Sequence, residues 1–340
     1  MNRLLSFLVR ILMGLTLSVS VSTIALGEEF YKGKTLRLMP YTSPGSAHDV
    51  LARMAAPYLE KYIPGHPNVI VQNMPGAGGV IVANYVYRLA KPDGLTVGIL
   101  SRGAPILWVA SVPGVEYDAS KFRWVLSPSM DITVCVAFAD TGFQRVQDVV
   151  GSNKPLILSA TGRGAGSFQV PATHNATLGT NIKIITGYRG GGEHQLAMER
   201  REVDGRCLSY FGTQLYPYLR NHLKSGALRF LVQLPSRHPA LPEVPVANEL
   251  ASKLDDVALI KLVAAPLNPW VVPPGTPEDR LTVLREGFMK AFQNPRFRKL
   301  AERAQFELDP LPGDKAGEML RRLLNVPEEA KQKLKKILGQ

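Results

Sequence analysis

The sequence predicts an α/β protein of two lobes, each a sheet wound with helices on both faces. Three observations lead there. The chain has 340 residues, more than a single hydrophobic core usually serves. Segments of alternating apolar pattern exchange with segments of helical spacing in two successive blocks, the mark of strand–helix–strand units. Four loops of small residues each follow a predicted strand, as in open sheets that bind ligands at their strand ends.

In the first block TLRLMPY reads as a strand and DVLARMAAPYLEKY as a helix, with Val50, Leu51, Met54, Leu59 and Tyr62 near one face. NVIVQNM is a second strand, residues 75–79 a turn, GVIVANYVYRLA a helix and LTVGILS a third strand after the KPDG turn. The second block repeats the pattern. ITVCVAF, PLILSAT, NIKIITGY and DGRCLSYF read as strands; VQDVVG, SFQVPATHNATLG and EHQLAMERRE read as helices or helix starts. After LRFLVQL come the Pro-rich connectors LPSRHPALPEVP and APLNPWVVPPGTP, and then a helical end in which Thr276 and Asn294 stand as caps before prolines. These C-terminal helices are expected to return to the first lobe, making a two-lobed clamp with a cleft between.

Arg3 and Arg10 flank the start of a long apolar stretch that ends in Ala25-Leu26-Gly27, a small-x-small site. This predicts a signal peptide over 1–27, cleaved near Gly27, and export to a bacterial periplasm. The stretch is rich in Ser and Thr and no stop-transfer pattern follows, which favours cleavage over a membrane anchor. The formal net charge of +12 is scattered. Its one dense run, KQKLKKIL, keeps Leu334, Ile337 and Leu338 at helical spacing and reads as a solvated helix face, so no nucleic-acid partner is expected. Cys135 and Cys207 are the two cysteines. They form no metal spacing, and the sequence leaves open one disulfide or two separate buried thiols.

The small-residue loops are SPGSAHD (43–49), MPGAGG (74–79), ATGRGAGS (160–167) and YRGGG (188–192). Close backbone approach and unpaired helix N–H groups make such loops fit to hold an anion; ordinary tight turns are the alternative. ATGRGAGS lacks the Lys-Ser/Thr ending of a phosphate loop. Ser46, His48 and Asp49 are too close in sequence to form a relay, and Asp49 is expected to organise its own loop. Arg102, Arg163 and Arg189 lie beside these loops, where a guanidinium fork suits a carboxylate. Tyr188 and Tyr210 stand at strand ends as walls of a site or as hinge packing. No metal site, cofactor or catalytic set is expected. The weaker rival is a hydrolase using Ser46 or Ser167, for which no general base is evident.

The stretches YTSPGSAHDVLARMAAPYL, VIVQNMPGAGGVIVANYVYRLAKPDGLTVGIL, TGRGAGS, ITGYRGGGEHQLAMERREVDGRC, RHPALPEVPVANEL and VVPPGTPEDRLTVLREGFMKAFQNPRF together resemble the Bug-type receptors of tripartite tricarboxylate transporters, over nearly all of the chain after residue 27. The resemblance implies a type II periplasmic-binding-protein fold with a strand hinge. It implies a monomer that closes on a small organic anion (a mono-, di- or tricarboxylate) and delivers it to a permease of large and small subunits. A ligand-sensing subunit for a signalling partner is the alternative. Carried over, the ligand set is Pro44, Gly45, Ser46, Ala47, His48 and Asp49; Gly76, Ala77 and Gly78; Ser101 and Arg102; Thr161, Gly162, Gly164, Gly166 and Ser167; Tyr188, Gly190 and Gly191, to which Tyr210 is added from its strand-end position. The expected division is 28–130 for the first lobe, 131–228 for the second and 229–340 for the return, with hinge crossings near 127–133 and 226–234. Ser46, His48 and APLNPWVVPPGTP depart from the family pattern and mark a divergent branch, so the ligand's identity stays open. The resemblance also favours a bonded Cys135–Cys207 pair.

Overall fold

The computed structural model describes residues 30–129 and 131–339; the signal peptide expected over 1–27 lies outside them. The first lobe opens with β1 (Thr35–Pro40), α1 (Ala47–Tyr62), β2 (Asn68–Val71), α2 (Val80–Arg88) and β3 (Thr96–Ile99), then a short α3 (Ala104–Val109) and β4 (Arg123–Ser127). The second lobe holds β5 (Thr133–Phe138), β6 (Leu156–Ala160), α4 (Gly166–Leu178), β7 (Ile182–Thr186), α5 (Gly191–Glu199) and β8 (Gly205–Ser209). It continues through α6 (Tyr210–Leu215), α7 (Pro217–Lys224), β9 (Leu228–Leu234), α8 (Ala247–Leu250) and α9 (Leu254–Val263). β10 (Trp270–Val272), α10 (Glu278–Gln293), α11 (Pro295–Arg303), β11 (Leu311–Pro312) and α12 (Gly313–Leu324) return to the first lobe, and α13 (Glu328–Leu338) is the last helix described.

Both sheets are mixed rather than purely parallel. The first runs β11-β4-β10-β3-β1-β2, with β1 parallel to β2 and β3 and β10 antiparallel to β3 and β4. The second runs β7-β6-β8-β5-β9, with β6 parallel to β7 and β8 and β5 antiparallel to β8 and β9. The reason is the direction of entry. Strands wound through helices point their C-terminal ends at the cleft, whereas β5 and β10 arrive from the other lobe and start there.

The first core lies under α1, whose Leu51, Ala55 and Leu59 pack with Leu36, Leu38, Trp270, Phe288 and Phe292. Trp270 meets Phe288 and Phe292 edge-on at 5.9 and 5.6 Å between ring centroids. The second core joins Leu158, Val170 and Val232 to Leu259 and Ile260 of α9 and to Leu334 and Leu338 of α13. Ile106 and Leu107 of α3 enter the same cluster, so an element of the first lobe is rooted in the second.

Three expectations change. The return at 229 comes too early: β9 pairs with β5 through Leu234, because its burial at LVQL needs a sheet partner. The final helix α13 packs on the second lobe, since Leu334 and Leu338 complete that core. Thr276 is no cap: its hydroxyl donates to Pro273 O at 2.8 Å, while Asn294 caps α11 by accepting from the N–H groups of Arg296 and Phe297.

Cys135 and Cys207 face each other across β5 and β8 and are bonded, with Cα atoms 4.0 Å apart and a sequence separation of 72. Thiol titration of the denatured, unreduced protein should therefore find no free cysteine. Replacing both by serine should cost about 2–4 kcal/mol of stability by releasing a long loop in the unfolded chain, read as a lower denaturant midpoint.

Candidate functional site

A cavity of about 100 Å³ lies between the lobes. From the first lobe it is lined by Tyr41, Thr42, Ser46, Ala47, His48 and Arg102. The second lobe supplies, among others, Thr133, Thr161, Gly166, Ser167, Gly190, Gly191, His194, Arg206, Ser209 and Tyr216. The N-termini of α1 at Ala47, α4 at Gly166 and α5 at Gly191 all open into it. Each leaves N–H groups without helical partners and carries partial positive charge. Local sequence explains these starts. Ser46 stays extended at φ −75° and ψ 163° before α1, and Ala165 does the same before α4. Gly191 is required because a Cβ there would collide with the Tyr216 hydroxyl.

The decisive charge is Arg206, on β8 between β5 and β6. Its residue is 7% exposed. Nη1 donates weakly to Gly191 O at 3.5 Å, Nε has no partner, and the guanidinium lies 6.0 Å from the Tyr216 ring centre. Among the described residues no carboxylate pairs with it. Burial pushes its pKa down, opposed by the Tyr216 and Tyr41 phenols. An enclosed cation with no counter-ion is costly unless an anion joins it.

The histidines of the site are neutral. His194 is 1% exposed and sits between Ser159 Oγ (2.8 Å from Nδ1) and Thr161 Oγ1 (3.2 Å from Nε2); burial, then Arg206, hold its pKa well below the usual imidazole range. His48 lies edge-on to Tyr41 at 4.8 Å. Burial and the Arg102 charge lower its pKa to about 4 against the opposing effect of a hydrogen bond to Asn268. Arg102 Nη1 donates to Thr133 Oγ1 at 3.1 Å and Nη2 to Asn268 Oδ1 at 3.4 Å. Among the described residues no group of acids, histidines and cysteines is arranged to hold a metal ion.

The model of the tripartite tricarboxylate transporter family receptor matches residues 51–334. The chain belongs to this receptor family. The protein BugT of Bordetella pertussis is 24% identical over 301 residues, 86% of either chain. The structure of the periplasmic binding protein BugD superposes with a TM-score of 0.71 at 19% identity, covering 91% of this chain and 99% of BugD. MatC from Rhodopseudomonas palustris with bound malate gives 0.67 at 22% identity, over 90% and 99%. The fold is the two-lobed periplasmic-binding-protein fold.

Within this receptor the expected ligand residues separate into two groups. Ser46, Ala47, His48, Arg102, Thr161, Gly166, Ser167, Gly190 and Gly191 line the cavity. The others do not. Pro44 and Gly45 are exposed, and Gly45 makes the turn at φ +79°. Asp49 accepts the Gly45 N–H at 2.8 Å and Arg53 Nε at 3.0 Å. Burial raises its pKa, but these bonds outweigh it and leave the group below the usual range.

Gly76, Ala77 and Gly78 form no anion nest in the cavity. Gly78 is pressed against Gly162 and Gly164 of the other lobe, where a Cβ would come 2.7 Å from Gly164 N. Gly162 and Gly164 therefore lie in this seam and outside the cavity lining. Ser101 donates to Gly164 O at 2.8 Å and so fastens the same seam. Tyr188 stacks behind the site on His194 at 5.1 Å. Tyr210 packs outward on His238 at 4.3 Å. Of the other loop arginines, Arg163 donates to Leu338 O at 3.0 Å and Arg189 is exposed.

Sequence reasoning passed over Arg206, Tyr216, His194, Thr133, Tyr41 and Thr42. Only Arg206 left a signal, a lone charge inside the strand-like DGRCLSYF.

The buried histidines set a pH dependence. His48, His194 and His174, the last lowered to about 4 by burial, bind fewer protons folded than unfolded between about pH 6.5 and about pH 4. Stability is then lost as pH falls through that window. Asp131, raised to about 6 chiefly by burial, works in the opposite sense, and the three histidines outnumber it. Calorimetry should show the unfolding temperature dropping across this range, with a shallower slope in His174→Gln.

Proposed function

We propose that the chain is a periplasmic solute receptor that captures the carboxylate of a small organic anion by lobe closure and delivers it to a membrane permease. The observation that carries this reading is Arg206, a buried guanidinium with no carboxylate beside it among the described residues, facing a cavity into which three helix N-termini open. Together they supply a cation and undirected N–H donors, the complement of a carboxylate. The malate bound by a fold relative, MatC, supports the same ligand class, and family membership supports the permease as the partner.

The seam of Gly78, Gly162 and Gly164 allows the lobes to meet backbone to backbone, as a clamp closed on its ligand requires. The hydroxyls considered for hydrolysis have other partners. Ser46 pairs with Thr42, and Ser167 Oγ accepts the Thr161 N–H at 3.1 Å. Neither is hydrogen-bonded to a base, which favours binding over catalysis.

Thermal-shift screening of carboxylates tests the reading. A ligand at 100-fold its Kd should add about 2.7 kcal/mol of stability. Arg206→Met should weaken that ligand by about 2–5 kcal/mol while leaving the ligand-free protein as stable or more so, because an unpaired buried charge is removed. A variant that binds carboxylates like the parent would sink the proposal.

A further inference from the structure

A second chamber of about 40 Å³ adjoins the first and shares with it Ala47, His48, Arg102 and Ser209. Its character is different. Leu51, Pro128, Phe211, Trp270 and Phe306 supply apolar walls, with the Phe211 and Phe306 rings 3.8 Å apart between centroids. Several polar groups at its margin already have partners. Asn268 Nδ2 donates to the Ser129 carbonyl and hydroxyl at 3.4 and 3.2 Å, and both Arg102 donors named above go to Thr133 and Asn268. The chamber's carboxylate is Asp131, whose Oδ2 accepts the Phe211 N–H at 3.1 Å.

We infer that the preferred ligand is a monocarboxylate bearing a compact apolar group, not a di- or tricarboxylate; the inference rests on the carboxylate-receptor reading above. The carboxylate sits in the Arg206 chamber and the apolar group enters the second. Charge counting leads to the same place. Across the two chambers the charged side chains are Arg206, Arg102 and Asp131, while His48 and His194 are neutral. Asp131 offsets Arg102 and leaves one positive charge for the ligand to balance. A second ligand carboxylate would lie among aromatic walls beside the Asp131 carboxylate, and a charge so placed is disfavoured. An apolar group meets no such penalty and gains by leaving water.

Titration calorimetry on the receptor would compare butyrate, isovalerate and benzoate with malate, adipate and citrate. At least one monocarboxylate should bind about tenfold or more tightly than every di- and tricarboxylate. Phe306→Ala should weaken that monocarboxylate about tenfold and leave formate, which has no carbon beyond its carboxylate, unchanged. Asp131→Asn should narrow the gap to malate. Tightest binding of malate, adipate or citrate overturns the inference and leaves the carboxylate receptor standing. Binding of none of these acids overturns both. Should Phe306→Ala not fold, the ligand comparison alone decides.

Discussion

Arg206 is a charge almost cut off from water. It stands on β8, hydrogen-bonded on one side to β5 and on the other to β6, and its side chain lines the cleft with 7% of the residue exposed. There it finds Gly191 O at the edge of hydrogen-bonding range and no acid. Much of the site's design follows from keeping that charge in place. The neighbouring Cys207 is bonded to Cys135, which fixes β8 against the first strand after the hinge. Ser209 ends the strand and caps α6 through the Gly212 N–H. The neutral state of His194 and His48 leaves the positive potential to the guanidinia and the helix ends.

Glycine has two separate tasks in the small-residue loops. Gly45 supplies a left-handed turn in open space, so that Asp49 can close the loop over its own N–H and set the start of α1. Gly78, Gly162 and Gly164 instead remove side chains from a seam between lobes, where even a methyl group would strike backbone. The seam and the ligand cavity lie side by side, and Ser101 with Gln169 ties them: Ser101 Oγ reaches Gly164 O, and Gln169 Nε2 reaches Gly103 O and Arg163 O. The distance between lobes is therefore set next to the Arg206 cavity.

The rear of the molecule is shared more deeply than a simple clamp requires. Ile106 and Leu107 of the first lobe pack into the second core, and the last helix joins them there, with Arg163 holding Leu338 O. A hinge crossed by buried apolar contacts closes as a packed unit, because such contacts rearrange between discrete states and resist continuous deformation.

Most strands and helices of the two blocks, the two lobes, and helix starts at Asp49, Ser167 and Glu193, within two residues of the observed Ala47, Gly166 and Gly191, were legible in the sequence, because apolar periodicity, small-residue turns and helix ends are properties of neighbouring residues; β4, α3 and α9 were passed over, and β10 lies in APLNPWVVPPGTP, read there as a connector. Arg102 was legible too, as a charge just past a strand. Arg206 was not: a charge inside a strand faces either solvent or cleft, and only the packing of the two lobes around β8 decides which. Nor did MPGAGG and ATGRGAGS show which of their glycines would meet a ligand and which would meet each other, since loop composition is the same in both cases. The lobe to which β9 and α13 belong was likewise decided by distant partners, Cys135's strand and the α9 core. Local pattern determined what the pieces are; long-range packing decided which faces meet, and the binding site is made of those faces.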